Sequence, residues 1–360
     1  MTVERAARLA IPVVWSSRSK PRPSIVFDTY WRFAAERQAI FFRRLAGDPP
    51  PWTDDPILQT YKFTNAYRAS DRTSQYLIRN VIYEGSADWG EVFFRTILFK
   101  LFNRIETWEA IAGEADPPRS DRFDQVQYRE ILTETMRRGS PIYSAAYIMP
   151  PVSLGKGSPK HWGHLALLAS MLQLRTPQRV AEAKSLREVY ELLRSFPSIG
   201  RFLAYQLAID LDYAPDLPFT EGSFVIAGPG ANEGIAKCFE ARDGWSDEDL
   251  ILWTTERQQL EFDRLGIHFQ DLWGRALQPI DCQNLFCEVA KYARVALPLF
   301  NARGGRTRIK QRFAAQATAA PPWYPPKWSI NQRLSSRVEI PTTHRAAELD
   351  HEVPVGASRR

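Results

Sequence analysis

The sequence predicts an all-α protein, and three observations carry the prediction. Apolar residues recur at helical spacing along most of the chain, whereas strict apolar–polar alternation never runs beyond a few residues. Pro, Gly and helix-capping residues punctuate the periodic stretches at intervals suited to helices. A hydrophobic share of 44% with 12% aromatic residues describes a chain that builds a core. Its 360 residues suffice for one large helical domain or two intimately packed lobes.

Residues 1–24 are polar and Pro-bearing and read as irregular. Phe27, Tyr30, Trp31, Ala34, Ile40, Phe41 and Leu45 then set a helix over 27–45, which Gly47-Asp48-Pro49 ends. Pro49-Pro50-Pro51-Trp52 is a rigid connector. Helices are expected over 71–83, 89–102 and 124–138, with a short one at 108–111. Residues 141–159, rich in Pro, Gly and Ser, read as a long loop and a candidate hinge between lobes. Helices resume at 161–174 and 185–196, followed by a hairpin helix at 203–211 and a loop at 214–223. Three more are expected at 230–239, 247–265 and 282–297. The helical body thus runs over 25–320. Residues 321–360 begin with Pro321-Pro322-Trp323-Tyr324-Pro325-Pro326-Lys327-Trp328, expected to pack its aromatics onto the body, and continue as a polar basic tail.

The net charge is +6, but eleven Lys/Arg against four Asp/Glu fall in residues 301–360, so the body is close to neutral. That distribution argues against indiscriminate polyanion binding while letting the tail add phosphate contacts. Only Cys238, Cys282 and Cys287 are present, which fits a reducing cytoplasm and excludes a four-cysteine iron–sulfur cluster. His161 and His164 lie three apart with no carboxylate or thiol to complete a metal set, so no metal and no cofactor are expected. No stretch approaches a membrane span, and Met1 to Lys20 lacks a signal-peptide core.

The most informative segment is Phe196-Pro197-Ser198-Ile199-Gly200, followed by Arg201-Phe202-Leu203-Ala204-Tyr205-Gln206. A helix stops at a Pro-containing turn, Gly200 supplies a permissive backbone, and a second helix starts at once. The free N–H groups of that second helix form an anion site suited to a DNA phosphate, with Ser198, Ile199, Gly200 and Arg201 as its residues. Plain αα-hairpin packing is the alternative. About twenty residues past Gly200 stands Glu221. A helix, a glycine hairpin, a helix and a carboxylate at that distance resemble the helix-hairpin-helix DNA glycosylases, which implies a two-lobed helical fold.

A second resemblance covers most of residues 27–300. It rests on Phe63-Thr64-Asn65-Ala66-Tyr67-Arg68-Ala69-Ser70-Asp71-Arg72, on Phe93 to Asn103, and on Phe202 to Gln206 with Asp210-Leu211. Phe224 to Ala231 and Asn284 to Glu288 with Lys291-Tyr292 complete it. These blocks look like the α-glutamyl/putrescinyl-thymine pyrophosphorylase family, also described as the helical domain of 5-hydroxymethyluracil DNA kinases and tied to hypermodified pyrimidines in phage DNA. The pattern G-x-x-x-x-G-K-[ST] does not occur, and Gly155-Lys156-Gly157-Ser158 is too short to replace it, so phosphoryl transfer is not expected.

Together the two resemblances imply a monofunctional DNA glycosylase that flips a hydroxymethylated or glucosylated pyrimidine out of double-stranded phage DNA, excises it and serves in anti-phage defence. The catalytic carboxylate would be Glu221, with Asp216 and Asp212 in reserve, stabilising an oxocarbenium ion. Phe202 stands where bifunctional members place a lysine, so no strand cleavage is expected. Asn65, Tyr67, Arg68, Asp71 and Arg72, with Tyr205 and Gln206, would line the base pocket. The structural alternative makes Asp71 a helix cap and Tyr205 core. Gly228 and Gly230 ahead of a helix bearing Lys237 would seat a second phosphate, or simply break the chain. A base-modifying transferase acting on 5-substituted pyrimidines, or a non-catalytic reader of modified DNA, are the competing functions. No obligate protein partner is evident.

Overall fold

The computed structural model describes residues 19–113, 117–146, 149–153, 155, 157–301, 305–314 and 321–334. The first eighteen residues, Lys156 of the Gly-Lys-Gly-Ser loop and the tail from 335 lie outside the described residues. Fourteen α-helices make up most of the described chain, and the only strands in it are β1 (Arg22–Pro23) and β2 (Phe239–Ala241), an antiparallel clasp. The all-α expectation holds at that level.

Helix α1 (Ile25–Ala46) opens at Ser24, whose hydroxyl accepts from the Val26 N–H and donates to the Lys237 carbonyl. It closes at Gly47, where a φ of 83° needs a residue without Cβ. Helices α2 (Pro56–Thr60) and α3 (Arg72–Tyr76) follow, the latter running into a wider π turn at Leu77–Ile82. There the Arg95 guanidinium takes the Val81 and Ile82 carbonyls. Arg95 lies on α4 (Trp89–Phe102), which is buried on every face from Glu91 to Phe102 and therefore central. Helices α5 (Ile105–Ala112), α6 (Gln125–Arg137), α7 (Lys160–Gln173) and α8 (Thr176–Ala181) gather around or beside it. Helices α9 (Leu186–Arg194) and α10 (Arg201–Asp212) form the hairpin, and α10 packs on α4.

In the remaining part, α11 (Pro229–Cys238) and α14 (Pro279–Ala296) lie against each other, with α1, α12 (Asp247–Glu256) and α13 (Gln258–Arg264) beside them. A Cβ on Gly234 would stand 2.0 Å from the Phe286 carbonyl oxygen, so glycine permits this backbone approach. One hydrophobic cluster runs continuously from Val26 to Ile330.

The structure departs from expectation at several elements. The helix expected over 247–265 breaks at Arg257, and α2 and α8 were not anticipated. The short helix at 108–111 extends over Ile105–Ala112. In the hairpin the left-handed residue is Ser198 (φ 64°), not Gly200, which is extended at φ −77° and ψ 174°. The permissive-backbone reading of Gly200 is thereby corrected.

Candidate functional site

Two groups of buried ions meet beneath the segment 321–334. The first is built on the block at 63–72, which folds as a braced loop. The Asn65 N–H donates to Asp71 Oδ1 (2.8 Å), and its side-chain amide donates to the Ser70 carbonyl (2.7 Å). Arg37 donates to the Thr64 carbonyl and to Asn65 Oδ1, while the Thr64 N–H donates to Glu288, itself paired with Lys291 at 2.8 Å. This bracing turns Arg68 inward. Its guanidinium meets Asp210 at 2.8 Å, Gln206 at 3.1 Å and the Tyr213 hydroxyl at 2.9 Å. Lys100 reaches the other Asp210 oxygen at 3.1 Å and donates to Asn103. Burial opposes ionisation of Asp210, but Arg68 and Lys100 overcome it and hold its carboxyl below the usual range.

The second group is acidic. Glu221 is buried and ion-paired with Arg275, whose guanidinium lies 3.8 Å from the Trp328 ring centre. Asp212, at the end of α10, is bound at 3.1 Å by Lys327, which also donates to the Leu217 carbonyl. Asp281 accepts the N–H groups of Arg68 (2.8 Å) and Gln278 (3.0 Å), and so links the two groups. Burial pushes Asp212 up to about 8, with Lys327 opposing and Glu221 reinforcing the rise. Burial and the Glu221 charge likewise raise Asp281, against the N–H groups of Gln278 and Arg68. Three carboxylates thus share two cations in a dry setting, an arrangement in which a carboxyl can take up a proton near neutrality.

The expected site residues divide accordingly. Glu221 and Asp212 come together, while Asp216 is exposed on the following loop. Arg68 and Gln206 share one network, but their polar atoms are engaged within the protein. Asn65 braces its own loop, and Tyr67 gives its hydroxyl to the Arg275 carbonyl and accepts the Leu272 N–H. Tyr205 is core beside Phe224. Asp71 does not cap α3, because its carboxylate is taken by Asn65. Arg72 is exposed, 3.9 Å from Glu106.

Among the phosphate candidates, Gly200 and Arg201 are exposed, with Arg201 paired to Glu248. Ser198 donates to the Pro151 carbonyl, and Ile199 is buried. Lys237 is directed inward to Glu233, the Ala290 carbonyl and Asn301. Gly228 and Gly230 serve close packing, since a Cβ would fall 2.7 Å from Phe202 and 2.9 Å from Cys287 Sγ. His161 bonds Thr133, and His164 joins Tyr143 to the Pro150 carbonyl. No group of three metal-ligating side chains occurs among the described residues.

Sequence reasoning missed Arg275, Asp281, Lys327 and Trp328. Asp281 had a local signal, since Gln278 and Asp281 form a reciprocal cap around Pro279. Arg275 and Lys327 had none, because their partners lie 54 and 115 residues away.

A family model described as "5-hmdU DNA kinase, helical domain" matches residues 24–302. A 5-hmdU DNA kinase of Bacillus phage SP10 is 27% identical over 288 residues, covering 74% of this chain and 45% of that protein. The chain therefore spans about half the length of the curated relative it matches. No solved structure matches. Of the two descriptions in the expected resemblance, the kinase helical domain is the one supported. The hydrolytic N-glycosylase expectation is overturned, and base excision, abasic products and the defence role built on them fall with it; the kinase name of the matching family also runs against the expectation that phosphoryl transfer is absent. Both the family and the relative carry the name of a kinase, a transferase acting on DNA. Among the described residues no helix is long and apolar enough to cross a membrane.

Proposed function

Because the chain belongs to the family of the 5-hmdU DNA kinase helical domain, we propose that it acts in group transfer to 5-hydroxymethyl pyrimidines in DNA, on the pyrimidine side of the reaction. The observation that carries this reading is the buried acidic group of Glu221, Asp212 and Asp281 around Arg275 and Lys327. A hydroxymethyl oxygen attacking phosphorus must lose its proton. An aspartate held near neutrality can accept it while the new oxygen–phosphorus bond forms and the bond from the γ-phosphorus of ATP to its bridging oxygen breaks, releasing ADP. Asp212 takes the part of base in this proposal, and Arg275 steadies the neighbouring Glu221. The first turn of α10, exposed at Gly200 and Arg201, is the proposed phosphate contact.

The test is a duplex with a single 5-hydroxymethyluracil, incubated with γ-labelled ATP, beside the same duplex with thymine. The expected result is label on the first duplex only, lost in Asp212→Asn. Tight, selective binding without transfer would remove the catalytic part. Equal behaviour toward both duplexes would remove the substrate assignment.

A further inference from the structure

The segment 321–334 lies beyond the family match, yet it supplies two side chains to the acidic group. Its hold on the body is extensive. Tyr324 is fully buried, shares a hydrogen bond with Ser70 (2.8 Å), and is braced on its own N–H and carbonyl by the Asn331 amide. Trp323 meets Tyr83 edge-on, and its backbone N–H donates to Gln75 Oε1. Trp328 meets Tyr213 edge-on and stacks with Tyr324. Pro325 and Pro326 fix the backbone just ahead of Lys327, and the Trp328 and Ser329 N–H groups close a tight turn around it.

A lysine delivered by so constrained a turn differs from an ordinary surface lysine. Exposed ion pairs contribute little because both side chains must be ordered against solvent screening. Here the Asp212 side chain is 2% exposed and the Lys327 side chain 22%, and the turn has already fixed the ammonium's approach. The charged or titratable groups acting on Asp212 are Glu221, Arg275, Lys327 and the Tyr83 hydroxyl. Arg275 is committed to Glu221, so Lys327 is the cation that bonds Asp212 directly.

We propose that Lys327 is a positioning residue of the site, recruited from outside the family domain, which orients the Asp212 carboxylate and sets the pH at which it accepts a proton. This rests on the reading of Asp212 as the base. Lys327 itself touches no reacting atom.

The experiment compares full-length wild type, Lys327→Met and Lys327→Arg. The carboxyl carbon resonance that vanishes in Asp212→Asn identifies Asp212, and its titration is followed by NMR. In Lys327→Met the midpoint should rise by roughly one pH unit or more, the usual effect of losing a neighbouring opposite charge. Lys327→Arg should restore it. The transfer rate on 5-hydroxymethyluracil DNA should follow, with the acid limb of its pH profile moved to higher pH in the Met variant and regained in the Arg variant. An Asp212 midpoint unchanged by Lys327→Met would overturn the proposal, as would a rate loss that Arg does not rescue and pH does not relieve. If wild type transfers nothing but the midpoint shifts as expected, the transfer reading fails while the Lys327–Asp212 coupling stands.

Discussion

The Arg68–Asp210–Lys100 group and the Glu221–Asp212–Asp281 group adjoin each other and are both buried, yet their charge balance is opposite. In the first, one carboxylate is shared by two cations and bonded on both oxygens, so ionisation survives burial. In the second, three carboxylates share Arg275 and Lys327, and burial prevails at Asp212. An excess of cations fixes a charge as scaffold, while an excess of carboxylates leaves a proton that can move. This contrast separates the fixed charge centre from the titratable one more sharply than burial does, since Asp210 and Asp212 are equally hidden.

The largest expected effect tests the scaffold side. Asp210→Asn leaves Arg68 and Lys100 facing each other without their counter-ion, and breaking a buried ion pair typically costs ~3–5 kcal/mol. Urea denaturation should register a loss of that size. A loss within experimental error would place Asp210 with the reactive group and dissolve the contrast. On the other side, Asp212→Asn should reduce transfer to 5-hydroxymethyluracil DNA by roughly 100-fold or more, the usual contribution of a general base. It should cost far less stability than Asp210→Asn.

The pH dependence of stability sharpens the same point. A carboxyl raised on folding from its ordinary 3.8 to about 8 favours the native state at low pH. That contribution is complete below pH ~4 and is lost as pH climbs through about 8. Asp212→Asn keeps an uncharged side chain throughout. Its melting temperature relative to wild type should therefore rise between pH 5 and about pH 8 and level off above that. A constant offset across that range would show that Asp212 titrates normally.

Much of this fold was legible in the sequence. The helix expected over 89–102 has the bounds of α4, and Gly47 gave the end of α1. Glu221 and Asp212 were singled out, and the Arg68 block was recognised as an unusual concentration of polar groups. What could not be read was direction. Asn65, Arg68 and Lys237 carry groups suited to a ligand, but each satisfies buried protein atoms, and only tertiary packing decides which way a polar side chain turns. Lys327 and Arg275 illustrate the same limit, because an ion pair spanning 54 or 115 residues leaves no periodic trace. The hairpin was found, but its strained residue was misplaced by two positions, since Ser198 rather than Gly200 takes the left-handed backbone.

The smallest effect expected comes from within the Arg68 block itself. Arg68 and Arg72 are four positions apart in sequence, but Arg68 is buried and Arg72 is exposed beside Glu106 at 3.9 Å. An exposed pair of that length contributes between zero and ~1 kcal/mol, so Arg72→Ala should leave urea stability nearly unchanged. Its guanidinium is open to solvent, as that of Arg68 is not, and we propose that it contacts a DNA phosphate. If it does, Arg72→Ala should weaken binding to modified and unmodified duplex alike and reduce the dependence of log affinity on log salt by about one. A selective loss for the 5-hydroxymethyluracil duplex would instead assign Arg72 to the base. An unchanged salt slope would remove it from the interface and leave the α10 turn as the phosphate contact to be tested next.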